Sequence, residues 1–151
     1  MKRKIILLSK VLILIGLITS CSSNLSEKNF DELDIKIVDV QSWLNLMPGG
    51  PGSFHISGKY ELPEELDERE IFLYKIIVID NGKEIYNLIA ELQFVNNSLE
   101  GIKEFTFTNH YQTEIEPILM QKDTIDIRLI FSVNSLPVKK DLNKIPLTRA
   151  Y

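Results

Sequence analysis

The chain of 151 residues holds a single cysteine, Cys21, two histidines, His55 and His110, and only two alanines, Ala90 and Ala150. One cysteine excludes an internal disulfide, so a folded domain here must be held by an apolar core. The two histidines stand far apart, without an H-x-x-x-H or paired-cysteine spacing, and supply no zinc ligand set. There is no G-x-S-x-G element, no phosphate-cradling glycine loop followed by a helix, and no D-x-[DN]-x-[DN]-G calcium loop. The expectation is therefore no catalytic residue, no metal and no cofactor. Long apolar runs are also missing. The longest, Val11 to Ile18, falls short of the ~20 residues a spanning helix needs.

What the N-terminus does contain is ordered. Lys2, Arg3 and Lys4 open the chain and Lys10 follows, ahead of the apolar run. Cations there hold the start of a chain on the cytoplasmic side while the next segment inserts. Then comes Leu17-Ile18-Thr19-Ser20-Cys21. This resembles the lipobox of bacterial lipoproteins, with a branched apolar residue three before the cysteine and a small one directly before it. The resemblance implies residues 1–20 as a signal peptide, diacylglyceryl transfer to the Cys21 sulfur and cleavage before Cys21. Further acylation, palmitate included, often follows on the new amine. Each buried methylene adds ~0.8 kcal/mol, so two or three acyl chains hold a protein on a membrane where one is marginal. The expected address is a bacterial membrane, lipid-anchored. In a Gram-negative cell the absence of aspartate at Ser22 favours the outer membrane, facing the periplasm or the surface.

Removing the four cations of residues 1–20 takes the net charge from −4 to −8. An acidic body lacks the electrostatic footprint of a nucleic-acid binder and is repelled from anionic head groups, which leaves membrane attachment to the lipid. Residues 21–32 are polar and aperiodic and read as a lipidated tether. The remainder, 33–151, is the size of one domain.

Within it the apolar residues recur with period two. Leu33, Ile35 and Ile37 alternate; then the phase slips and Val38, Val40 and Leu44 take the other parity, which predicts a β-bulge or a strand that changes sheets. Phe54, Ile56, Gly58, Tyr60 and Leu62 alternate with polar residues. Ile71 to Ile79 is almost continuously apolar and reads as a central strand. Asn81-Gly82 predicts a hairpin, because both residues tolerate positive φ. Its return strand carries Tyr86, Leu88, Ala90, Leu92 and Phe94 on one parity; Asn96-Asn97-Ser98 reads as a turn, and Phe105 and Phe107 belong to another strand. Ile125 to Val133 alternates cleanly, and Ile145, Leu147 and Tyr151 suggest a last edge strand, where Pro146 is tolerated. The expected fold is all-β: a single antiparallel sandwich of about seven strands. The approach Ile118 to Arg128 resembles the sixth strand of immunoglobulin-like and fibronectin-III-like domains, although the disulfide, the tyrosine corner and the third-strand tryptophan of that family are missing. A small lipocalin-like barrel is the alternative.

The most unusual stretch runs from Trp43 to His55, around a loop of two prolines and three glycines. Trp43, Met47, Pro48, Gly49, Gly50, Phe54 and His55 form the candidate binding surface, an apolar platform at one end of the fold suited to gripping a peptide or glycan. The competing reading has Trp43 and Met47 plugging the core, as tryptophans are mostly buried. The acidic run Glu61 to Glu70 reads as a solvated connection. The functional expectation is a non-enzymatic binding or accessory module whose partner is an envelope protein. A carrier of small apolar ligands is the alternative, and a hydrolase using His55 or His110 ranks below it.

Overall fold

A computed structural model describes residues 29–95 and 101–151; the expected signal peptide, Cys21, most of the expected tether and the expected Asn96-Asn97-Ser98 turn lie outside the described residues. The described chain is all-β. Eight strands run in order: β1 (Lys36–Asn45), β2 (Ser53–Pro63), β3 (Ile71–Asp80), β4 (Lys83–Val95), β5 (Ile102–Asn109), β6 (Thr113–Glu114), β7 (Thr124–Val133) and β8 (Leu136–Ala150). Two 3₁₀ turns, Phe30–Glu32 and Pro117–Gln121, complete the elements. No helix among the described residues is long and apolar enough to cross a membrane.

The expectation of two open sheets needs correction. The strands hydrogen-bond in the order β1-β8-β7-β3-β4-β5-β2, and β2 pairs back onto β1, so seven strands close into a ring with β6 appended to β2. Two strands make closure possible by changing neighbours along their length. The first half of β4 pairs with β3 and its second half, Ala90 to Val95, with β5. Likewise β8 pairs with β7 as far as Pro146 and then, from Leu147 to Ala150, with β1. Closure pairs most of the sheet edges, although β1 before Ser42 has no ladder partner on its β8 side.

Nor is the ring wholly antiparallel. Strand direction must return to itself around a closed ring, which requires an even number of reversals, so seven strands need at least one parallel junction. It is β1–β8, where the first strand meets the last.

The predicted phase slip is present: the β1–β2 register shifts between Ile37 and Asp39, leaving Val38 as the bulged residue. A second shift between Leu73 and Lys75 on β3 explains its continuous apolar run. Ile71 and Leu73 face inward before the bulge, Ile76 and Val78 after it, while Ile77 and Ile130 are buried outside the inner cluster. Asn81 (φ 49°) and Gly82 (φ 79°) make the hairpin turn.

Side chains fill the interior of the ring. Phe54, Ile56, Tyr60 and Leu62, the inward parity of β2, are fully enclosed. Tyr60 stacks on Phe105 with centroids 5.2 Å apart and meets the edge of Phe131 at 5.2 Å. Gly58 shares that parity for a steric reason: a Cβ there would collide with the Asp39 carbonyl and the Phe107 ring. The folded body also begins earlier than residue 33. Phe30 is buried and packs on Phe131 at 5.2 Å, so Asn29 to Glu32 join the domain rather than the tether.

Candidate functional site

Alternation along β1 decides which of its side chains are available. Val40, Ser42 and Leu44 point inward, and Asp39, Gln41 and Trp43 point out. Trp43 is half-buried on the outer wall and does not plug the core. Directly across the ladder from it stands His55 of β2, and the two rings stack with centroids 5.2 Å apart and planes 9° from parallel. His55 is fixed by Ser53, whose Oγ lies 2.8 Å from Nε2. Partial burial pushes the His55 imidazole below its ordinary pKa, which keeps it neutral at neutral pH. Ser53 is 2% exposed, so the pair is set into the wall.

The rest of the sequence-predicted platform divides. Met47, Pro48, Gly49 and Gly50 are exposed on the β1–β2 loop, with Gly49 at φ 108°. Phe54 is a correction: it is fully enclosed and stacks on Tyr86 at 5.0 Å, so it supports the loop from within and is closed to a ligand. Gly52 lets this loop close, because a Cβ there would stand 2.7 Å from Ile115 Cδ1.

Two neighbours of the platform were not legible in the sequence. The first is the wall between β1 and β8. These strands pair only over Ser42–Asn45 with Leu147–Ala150, and side chains stitch the seam: Ser42 Oγ donates to the Pro146 carbonyl at 2.8 Å and Thr148 Oγ1 donates to the Ser42 carbonyl at 3.2 Å. Where the pairing stops, a groove of about 520 Å³ opens, lined by Asp39, Val40, Gln41, Ser42, Trp43, Pro146 and Thr148. The second is an apolar rim. Met47, Tyr111, Ile118, Met120 and Tyr151 are all exposed, and all sit on loops at the same end of the barrel. Arg149 ties that end together, donating to the carbonyls of Met120 and Lys122, and the Leu46 amide donates to the Ala150 carbonyl. The sequence signal was weak: Ile118 and Met120 share the 3₁₀ turn Pro117–Gln121, but Met47, Tyr111 and Tyr151 lie elsewhere along the chain, and ring closure gathers them with it.

The opposite end has another character. It carries the turn after β2, where Glu64, Glu65, Asp67, Glu68 and Glu70 are exposed around Arg69, and Glu68 pairs with Lys103 at 2.7 Å. The described chain also enters at that end, since β1 starts there opposite the last residues of β2. His110 lies on the surface 3.2 Å from Glu91. Among the described residues no three His, Cys, Asp or Glu side chains gather in a metal-holding group. No family model, no curated protein and no solved structure matches this chain.

Proposed function

We propose that this protein is a lipid-anchored bacterial envelope module that binds a protein partner through the end of its barrel remote from the anchor. The observation that carries the reading is a cluster of exposed apolar side chains at the end away from the point of entry. The chain enters beside an acidic turn, while five exposed large apolar side chains, two of them tyrosines and two methionines, gather at the other end, with Glu114, Glu116 and Asp123 exposed among them. Tyrosine and methionine are enriched in interface cores. An acidic end turned toward the bilayer is repelled by anionic lipid, so the acyl chains on Cys21 make the attachment and the apolar end projects outward.

The finer reading of the fold is an immunoglobulin-like strand order drawn into a closed ring. Its support is the pairing of β1 with β2, β2 with β5 and β5 with β4 on one side, and of β3 with β7 and β7 with β8 on the other, the order of that sandwich. A carrier holding its ligand along the barrel axis has less support, because Tyr60, Phe105, Phe107 and Phe131 occupy the interior.

Two measurements test the reading. Cys21→Ala is expected to abolish incorporation of labelled fatty acid and move the protein from the membrane to the soluble fraction; label persisting on the variant refutes the anchor. A photo-crosslinking side chain placed at Met120 is expected to capture one discrete envelope protein in cells, and the same probe at Glu65 is expected to capture none. Equal capture at both positions, or none at Met120 in a strain where the protein functions, refutes the reading.

A further inference from the structure

The groove beside Trp43 has a chemistry distinct from that of the apolar rim. We propose that it is a binding site for a neutral oligosaccharide, with the indole of Trp43 as the stacking platform for one sugar ring. His55 occupies one face of the indole but does not line the groove, whereas Trp43 does, with Pro146 and Thr148 opposite. Trp43 thus lines the groove with its indole held by the His55 stack. Along the same outward parity stand Gln41 and Asp39, joined by a 2.7 Å bond from Gln41 Nε2 to Asp39 Oδ2. That bond leaves the amide oxygen, its second N–H and a carboxylate oxygen free for a ligand. Thr148 Oγ1 donates to the Ser42 carbonyl and keeps acceptor capacity toward the groove.

The ligand class follows by elimination. Asp39 is the only charged side chain lining the groove, so phosphates and carboxylates are repelled. A single ammonium group does not suit the site either. Residues four apart on a strand are separated by about 13 Å, too far for one cation to reach both Asp39 and the indole. An extended peptide adding to the free edge of β1 meets the Val38 bulge and Pro146, which has no N–H to offer, and both interrupt a ladder. What remains is a neutral, elongated ligand with an apolar ring face and donor–acceptor hydroxyls at its rim. Two or three pyranose rings in line have that form. The volume of the groove lies within the ordinary range for small-ligand sites.

Trp43 is the only tryptophan, so its emission reports on this site alone. The full-length lipidated protein, in a polyoxyethylene detergent without a sugar head group, is titrated with chitotriose and with cellotriose. A saturable change in emission with at least one triose is expected, weakened about five- to tenfold in Gln41→Ala by the lost hydrogen bonds. The Gln41 side chain is exposed, so the thermal unfolding of that variant is expected to match the parent and serves as the folding control. Silence with both trioses, equal affinity in Gln41→Ala, or saturation only by a proline-rich decapeptide overturns the proposal. Met120→Ser is expected to leave the sugar titration unchanged, which separates this site from the protein-contact reading of the rim.

Discussion

Strands β7 and β1 belong to the same ring but are held in it differently. β7 pairs antiparallel along its length on both sides, through eight ladder positions with β3 and nine with β8. β1 pairs along its length with β2 but meets β8 at only four positions, and in parallel. The difference follows from closure: a seven-strand ring must place one parallel junction somewhere, and here it falls between the first and last strands. There the register is short and the hydroxyls of Ser42 and Thr148 supply hydrogen bonds that a longer ladder would have made. Surfaces for binding arise where backbone pairing gives out, and the groove lies at that seam.

The largest effect is expected on the β7 side. Phe131 is fully enclosed and touches both Phe30 and Tyr60. Phe131→Ala should cost about 3–5 kcal/mol in chemical denaturation, and a cost below about 1 kcal/mol would mean that the interior is not packed as described.

A smaller effect concerns Tyr60, at the centre of the same cluster. Burial pushes its phenol up to about 12. The unfolded chain ionises near pH 10, so stability is intact below that value. Between pH 10 and 12 the unfolded state loses its proton while the folded state keeps it, and stability falls by about 2–3 kcal/mol in total. The measurement is denaturant unfolding across this range. In Tyr60→Phe the alkaline loss should shrink by that amount, and an unchanged loss would assign it to other groups.

The smallest effect sharpens the contrast at the seam. Ser42→Ala removes the 2.8 Å bond to the Pro146 carbonyl and is expected to cost about 1 kcal/mol. Amide exchange should accelerate at Leu44 and Asn45 and stay unchanged at Leu129 and Phe131. Uniform acceleration would show that the seam and the β7 ladder open as one unit.

Much of the wall construction was legible in the chain. The parity of Phe54 to Leu62 placed five inward residues on β2, the slip at Val38 announced a bulge, and Asn81-Gly82 announced a hairpin. These are local signals, because side-chain direction in a strand has a period of two and positive φ has few tolerant residues. The platform was legible only in part. Trp43 and His55 emerged from an unusual composition, but their stacking depends on the β1–β2 register. Phe54 belongs to the inward parity of β2 and not to the platform, where only its nearness in sequence to the loop at residues 48–52 suggests it. The extent of β8 was missed as well. Leu136, Val138 and Leu142 keep one parity, but Lys139-Lys140-Asp141 breaks the apolar pattern, and the strand then bulges at Asn143-Lys144 and changes partners at Pro146.

The sequence by itself pointed to an all-β chain and, with one cysteine, excluded an internal disulfide. These properties rest on composition and on neighbours a few residues apart. Only the tertiary structure decided that the sheets close into a ring, that the closing seam is parallel, and that Met47, Tyr111, Ile118, Met120 and Tyr151 share one end. The physical reason is the range of the interactions: periodicity fixes the direction of a side chain, whereas closure joins residues more than a hundred positions apart, as Ser42 and Pro146 show.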